Sequence, residues 1–117
     1  MNILLVDDEE NILRALKRVF RDRSWNVFTA LGAEEALQIL AQEKIDLLIT
    51  DYRMPGKNGL ELIREARKNQ PQLPCFVLTG EMSLAIPDDI LPTPKLFAKP
   101  WDGERFIAAI QEIQKTL

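Results

Sequence analysis

The sequence predicts a doubly wound α/β fold, in which a five-stranded parallel sheet carries helices on both faces. Short apolar runs alternate along the chain with longer segments of helical period, and this alternation is typical of strands joined by crossover helices. Several runs are apolar on both faces, as buried parallel strands are. The 117 residues, of which 46% are hydrophobic and 28% charged, fit one domain over residues 1 to 117.

The first two strands are each followed by a segment with apolar residues at three- and four-residue spacing. The first strand runs from Asn2 to Val6 and the second from Trp25 to Ala30. The helices after them are marked by two sets of apolar residues, which are Ile12, Leu13, Leu16, Val19 and Phe20, and then Ala33, Ala36, Leu37 and Leu40.

The third, fourth and fifth strands are predicted at Ile45 to Thr50, Cys75 to Thr79 and Lys95 to Ala98. A helix is predicted after the third strand, where the apolar residues at helical spacing are Leu60, Ile63 and Ala66. The last helix is predicted after the fifth strand, and its apolar residues are Phe106, Ile107, Ile110 and Ile113. Prolines interrupt the segment between the fourth and fifth strands, so we expect only a short or irregular helix there.

Composition excludes several classes of site. The sequence has no histidine, so Ser-His-Asp or Cys-His catalysis and His-ligated zinc or haem are excluded. The single cysteine, Cys75, lies in an apolar run, which predicts a buried reduced thiol in a cytoplasmic protein. The net charge of −3 gives no general attraction to nucleic acid or anionic lipid, and the apolar N-terminus is too short to insert in a membrane.

Polar residues follow the strands of the predicted sheet, where a parallel arrangement brings all carboxyl ends to one edge. They are Asp7 and Asp8, Asp51, Thr79 and Lys99. Three neighbouring carboxylates must take up a proton or hold a cation, and oxygen ligands alone favour Mg²⁺. We therefore expect a Mg²⁺ site that receives phosphate, with Asp51 as a carboxylate nucleophile and with Thr79 and Lys99 holding phosphoryl oxygens.

Each of these residues also has an ordinary structural explanation. Asp7 and Asp8 could cap the following helix, and Asp51 could be an acid that begins a turn. Thr79 could simply end a strand, and Lys99 could be a solvated surface lysine. Their joint occurrence at the strand ends favours the phosphate site.

Four motifs in this order resemble the receiver domains of two-component response regulators, of the chemotaxis-regulator type. They are Val6-Asp7-Asp8-Glu9, Thr50-Asp51-Tyr52-Arg53-Met54-Pro55-Gly56-Lys57-Asn58-Gly59, Leu78-Thr79-Gly80 and Ala98-Lys99-Pro100. The resemblance covers essentially the whole chain and implies a flavodoxin-like strand order of 2-1-3-4-5. It also implies that a sensor histidine kinase or a phosphotransfer protein donates a phosphoryl group from phosphohistidine to Asp51, and that the chain promotes this transfer itself.

The resemblance further assigns roles within the site and to partners. Asp8 would bind Mg²⁺ directly and Asp7 mainly through water, while Asp51 and the backbone carbonyl of Arg53 would complete the protein ligands. The peptide bond of Lys99-Pro100 is expected to be cis. A downstream effector protein or domain is implied as a partner, any enzymatic output would lie in another domain, and a homodimer is allowed through the family's fourth helix, fifth strand and fifth helix.

The sequence departs from the family at the position of its switch aromatic, three residues before the lysine. Leu96 stands there, and Phe97 follows it; because successive strand residues face opposite sides, we expect Phe97 in the core. The prolines before the fifth strand affect the same face, so we expect phosphorylation to be retained and its conformational readout to be unusual or weakened. Arg53 and Glu81 are expected to pair across the mouth of the site and to slow hydrolysis of the phosphoryl group.

Three other classes of protein share part of this pattern. A pseudo-receiver that binds a partner without phosphorylation is the alternative that stays open. A phosphatase of the haloacid dehalogenase type would need a second acid two residues after Asp51, where this chain has Arg53. A flavodoxin-like cofactor binder would need a phosphate-cradling loop after the first strand, where Asp7-Asp8-Glu9 would repel phosphate.

Overall fold

A computed structural model of the chain describes residues 1 to 21 and 23 to 117, and the described residues form five strands and four helices. In chain order the elements are β1 (Asn2–Val6), α1 (Glu10–Val19), β2 (Asn26–Ala30), α2 (Ala33–Gln42), β3 (Leu47–Asp51), α3 (Gly59–Ala66), β4 (Cys75–Thr79), β5 (Lys95–Ala98) and α4 (Gly103–Lys115). The α/β fold and every predicted strand are therefore confirmed. The bounds of β2 and β3 differ from the prediction by one or two residues. Differences of this size are common at strand ends.

All strand pairs are parallel, and the sheet has the order β2-β1-β3-β4-β5, as the resemblance implied. The register aligns the carboxyl ends, because Val6 pairs with Thr50 and Thr79 pairs with Ala98. Asp7 thus follows β1 beside the end of β3, and Lys99 follows β5 beside the end of β4. This register gathers the polar strand-end residues at one edge of the sheet.

Each face of the sheet is covered by two helices, which gives two apolar cores. On one face α2 and α3 bury Ala36 and Ile63 against the sheet. On the other face α1 and α4 bury Leu16 and Phe106. The helical spacing of apolar residues in the sequence is explained by these two cores. No helix among the described residues combines the length and apolar character required to cross a membrane.

Residues 80 to 94, which we call the β4–β5 crossover, contain turns and no helix, so the predicted short or irregular helix is wrong. Prolines at 87, 92 and 94 remove amide donors that a helix would need. The crossover is instead fastened to α3 and its C-terminal cap. Arg64 Nη2 lies 3.0 Å from Asp89 Oδ1, and Arg67 Nη1 donates to the Pro92 carbonyl at 2.5 Å. Ile90, only 3% exposed, packs in the core on the α3 side.

The side chains of Leu96 and Phe97 lie on opposite faces of β5, as predicted. Leu96 packs against the core beneath α2 and α3, whereas Phe97 packs against the core beneath α1 and α4. The Phe97 ring centroid lies 5.0 Å from the centroids of both Phe76 and Phe106, within the range of favourable aromatic pairs. Phe97, which is partly buried, is therefore part of an aromatic cluster that packs against this core.

Candidate functional site

Three carboxylates meet at the carboxyl edge of the sheet. Asp7 and Asp8 follow β1, Asp51 ends β3, and each offers an oxygen within 4.8 Å of the others. Asp7 is 1% exposed and Asp51 is 8% exposed, whereas Asp8 is open to solvent. The cluster therefore has a buried floor and one exposed acid at its rim.

Lys99 supplies a single positive charge to this cluster. Its Nζ lies 3.0 Å from Asp7 Oδ2 and 3.1 Å from Asp51 Oδ1, so it bridges the two buried acids. Burial tends to lower the pKa of Lys99, but its hydrogen bonds to Asp7 and Asp51 outweigh burial and raise the pKa. Lys99 is thus held in its charged form and is not a freely solvated lysine.

One ammonium group does not balance three carboxylates. Burial, and then the nearby charge of Asp7, raise the pKa of Asp51 above its ordinary value, although Lys99 opposes both effects. Burial and the charge of Asp7 both disfavour the ionised form of Asp51 in the absence of a cation. A divalent cation would supply that compensation, and the donor set, made only of oxygens, fits Mg²⁺ better than zinc.

The carboxylate of Asp7 does not cap α1. The N-cap of that helix is Glu9, which makes no side-chain capping bond, and Asp7 Oδ1 instead accepts the backbone N–H of Glu9 at 2.8 Å. The Asp7 N–H donates to the carbonyl of Ala30 at 3.1 Å, which ties the turn to the end of β2. This bonding fixes the Asp7 carboxylate and leaves its second oxygen directed at Lys99.

Thr79 completes the edge on the β4 side. It is 3% exposed, and its backbone carbonyl accepts the N–H of Lys99 at 3.1 Å. The Thr79 hydroxyl oxygen accepts the N–H of Glu81 at 2.9 Å. Since that bond uses the oxygen as an acceptor, the hydroxyl proton can still be donated to another group.

Arg53 and Glu81 pair across the mouth of the site, as the sequence predicted. Arg53 Nε donates to Glu81 Oε1 at 2.9 Å, and Nη2 contacts the same oxygen. The guanidinium carbon of Arg53 also lies 5.8 Å from the centroid of the Tyr52 ring. The pair, although exposed, links the loop after β3 to the loop after β4.

The start of α3 is seated against the backbone of Asp51, a contact that the sequence did not predict. The N–H of Gly59 donates to the carbonyl of Tyr52 at 2.8 Å, and a Cβ at position 59 would lie only 2.4 Å from the carbonyl oxygen of Asp51. Asn58 caps the helix by a reciprocal capping box with Glu61. The Asn-Gly pair at the helix start was the available signal, but it does not reveal which backbone group lies opposite.

Two further expectations from the sequence are confirmed. The Lys99-Pro100 peptide bond is cis, as is that of Leu91-Pro92. Cys75 is buried at the start of β4, where its Sγ donates to the carbonyl of Leu73 at 3.3 Å, and the expectation of a buried thiol is confirmed.

Comparisons with known proteins all indicate one family. A family model described as the response regulator receiver domain matches residues 3 to 111. The chain is 35% identical to the transcriptional regulatory protein GlrR of Escherichia coli K12 over 95% of its own length and 26% of GlrR. It is 29% identical to sporulation initiation phosphotransferase F of Bacillus subtilis over 94% of its own length and 90% of that protein.

A solved structure of similar fold is the response regulator TrrA from Thermotoga maritima in complex with Mg²⁺-BeF. The TM-score is 0.82 at 29% sequence identity, and the superposition covers 96% of this chain and 97% of TrrA. The chain thus spans only about a quarter of GlrR but nearly all of phosphotransferase F and TrrA. With the family model matching most of the sequence and the strand order of the sheet in agreement, the chain belongs to the response regulator receiver domain family.

Proposed function

We propose that residues 1 to 117 act as one phosphoacceptor receiver domain in a two-component system, with Asp51 as the acceptor. The observation that carries the proposal is the position of Asp51 at the carboxyl edge of the sheet, where the ammonium of Lys99 bridges its carboxylate and that of Asp7. The match to phosphotransferase F and the Mg²⁺-BeF complex of TrrA support the same reading.

In the proposed reaction an Asp51 carboxylate oxygen attacks the phosphorus of a phosphohistidine on a sensor kinase or phosphotransfer protein. The P–N bond breaks, the imidazole leaves with the bonding electron pair, and an acyl phosphate forms on Asp51. Lys99 neutralises a phosphoryl oxygen, and the Thr79 hydroxyl donates to another. Catalysis by these residues consists of positioning and charge neutralisation.

Asp7, Asp8, Asp51 and the backbone carbonyl of Arg53 would hold Mg²⁺, which when bound supplies positive charge opposite the phosphoryl oxygens. The residues present fit this ion, because three carboxylate oxygens approach within 4.8 Å of one another with one lysine among them. Asp7 is the most buried of the three acids, and its carboxylate accepts the backbone N–H of Glu9. These contacts hold the Asp7 carboxylate in one orientation, away from solvent.

Transfer to Asp51 is tested by incubating the chain with acetyl phosphate and Mg²⁺ and measuring its intact mass. The expected result is the gain of one phosphoryl group by the native chain and none by Asp51→Asn. Omission of Mg²⁺, or replacement of Asp8 by asparagine, should suppress the gain. No gain by the native chain would contradict the proposal and would favour a pseudo-receiver that binds its partner without phosphorylation.

We also propose that the response to phosphorylation is weaker in β5 and the β4–β5 crossover than in other family members. Leu96 carries neither ring nor hydroxyl, and Phe97 is committed to the aromatic cluster with Phe76 and Phe106. Comparing amide chemical shifts with and without beryllofluoride and Mg²⁺ tests this. A large ordered change from Leu84 to Phe97 would contradict a weakened readout.

The proposed partners are the phosphoryl donor and a downstream effector protein or domain in the cytoplasm. Any effector activity would lie in another domain, as in regulators such as GlrR, of which this chain matches about a quarter. A homodimer through β5 and α4, without direct contact to nucleic acid, belongs to the same proposal. Sedimentation of the chain with and without beryllofluoride measures this dimerisation.

A further inference from the structure

A buried hydroxyl group stands among apolar neighbours near the end of β3. It belongs to Thr50, which is 0% exposed and directly precedes Asp51. In the register of the sheet Thr50 pairs with Val6 of β1 and with Val77 of β4, and both valines lie in the core beneath α2 and α3. A valine at position 50 would match these neighbours in shape, whereas a hydroxyl costs free energy to bury unless it finds a hydrogen-bond partner.

The partner of this hydroxyl is the backbone of Asp51. Thr50 Oγ1 donates to the carbonyl oxygen of Asp51 at 2.9 Å. The same carbonyl oxygen faces the start of α3, where a Cβ at Gly59 would lie 2.4 Å from it and 3.2 Å from Cγ2 of Thr50. The hydroxyl and the methyl group of Thr50 therefore both lie at the contact between β3 and α3.

The peptide group that joins Asp51 to Tyr52 is held at both of its polar ends. Its carbonyl accepts the Thr50 hydroxyl, and its N–H, which belongs to Tyr52, donates to the carbonyl of Leu78 at 3.1 Å. A peptide group is planar, so two bonds at opposite ends fix its orientation. Because this plane is attached to the Cα of Asp51, holding it also restricts how the carboxylate on that Cα can move.

We propose that Thr50 is a positioning residue for phosphoryl transfer to Asp51. Its hydroxyl acts through the Asp51 carbonyl and keeps the acceptor carboxylate in place, with Oδ1 at 3.1 Å from Lys99 Nζ. Thr50 itself touches no reacting atom. The inference rests on the proposed function, in which Asp51 accepts the phosphoryl group.

Two substitutions divide the threonine side chain into its parts. Thr50→Val keeps the branched shape and removes the donor, whereas Thr50→Ser keeps the donor and removes a methyl group. The rate of mass gain with acetyl phosphate and Mg²⁺ should fall about tenfold in Thr50→Val, because a misplacement of about 1 Å can cost roughly 100-fold and Gly59 and Leu78 still limit the movement. Thr50→Ser should react at close to the native rate.

Urea unfolding separates positioning from a general loss of stability. Ile110→Val is the matched control, because it removes one buried methyl group in α4, on the opposite face of the sheet. Thr50→Ser and Ile110→Val should both have lower urea midpoints than the native chain, since each deletes a buried methyl group. Neither should be phosphorylated more slowly, and rates that fell in step with the midpoints in all three variants would overturn the proposal.

The hydrogen bond itself is measured by the carbonyl ¹³C chemical shift of Asp51 in the metal-free chain. The signal should move in Thr50→Val, which cannot donate, and stay near its native position in Thr50→Ser. An unchanged signal in Thr50→Val, or a native rate of phosphorylation in that variant, would overturn the positioning role alone. Failure of the native chain to gain a phosphoryl group would overturn the proposed function and the positioning role together.

Discussion

Replacing Gly59 by alanine tests whether α3 is seated directly on the backbone of the proposed phosphoacceptor. The added Cβ would lie 2.4 Å from the carbonyl oxygen of Asp51 and 3.2 Å from Cγ2 of Thr50. To restore a separation of 3.0 Å, α3 and the Asp51 peptide must move apart by about 0.6 Å or more in a well-packed region. The movement falls on α3 or on the peptide of Asp51, which is the last residue of the fully buried strand β3.

Overpacking of this kind should lower the free energy of unfolding by about 1 to 3 kcal/mol. It should also slow phosphorylation by acetyl phosphate roughly 10- to 100-fold, because a displacement approaching 1 Å disrupts the alignment of reacting groups. Urea unfolding followed by tryptophan fluorescence measures the first effect, and the rate of mass gain with Mg²⁺ measures the second.

The chain provides a matched control for Gly59→Ala. Gly103 is likewise the first residue of a helix, but a Cβ there meets no atom within 4 Å. Gly103→Ala should therefore keep both stability and phosphorylation close to those of the native chain. If Gly59→Ala matched Gly103→Ala in both measurements, the contact between α3 and Asp51 would have no mechanical role.

Three further predictions concern charge and burial. Because burial and then Asp7 raise the pKa of Asp51, the metal-free fold favours the protonated acid; its contribution to stability is present below the ordinary pKa of 3.8 and is lost as pH rises through the raised value. In the presence of a chelator, the urea midpoint of Asp51→Asn should therefore fall less steeply with rising pH than that of the native chain. Equal slopes would show that Asp51 is not the source of this pH dependence. Burial raises the pKa of Cys75 to about 12, so a thiol reagent at mildly alkaline pH should label it only as fast as the chain unfolds, and immediate labelling would show an accessible thiol. Arg53→Ala releases Glu81 and should speed loss of the phosphoryl group while the urea midpoint stays unchanged, since the pair is exposed; an unaltered decay rate would eliminate Arg53 as a barrier to water.

The sequence predicted the fold and the composition of the candidate site because both depend on strand ends. Parallel strands place Asp7, Asp51, Thr79 and Lys99 at one edge whatever the details of packing. The opposite orientation of Leu96 and Phe97 likewise follows from the two-residue period of a strand. Such features need only the pattern of the chain.

Features that depend on contacts between distant backbone groups were not predictable in this way. The close approach of Gly59 to Asp51 arises from how α3 docks on β3, and no local pattern encodes that distance. The β4–β5 crossover was expected to contain some helix, because its prolines indicate an interruption without saying what replaces it. In place of helical hydrogen bonds, the side chain of Arg67 holds the crossover at the end of α3. It donates to the backbone carbonyls of Leu73 and Pro92.

The crossover that Arg64 and Arg67 fasten to α3 is expected to open more easily than the sheet beside it. Its own backbone bonds include two turn bonds, from Leu84 to Glu81 and from Ile90 to Pro87, and its residues belong to no helix or strand of the sheet. Opening it would expose Ile90 while the hydrogen-bond ladder of β4 and β5 stays intact. Local unfolding of this kind costs less free energy than global unfolding, and its amides exchange with solvent earlier. We therefore expect a partner that binds the crossover to slow the exchange of its amides without rearranging the sheet.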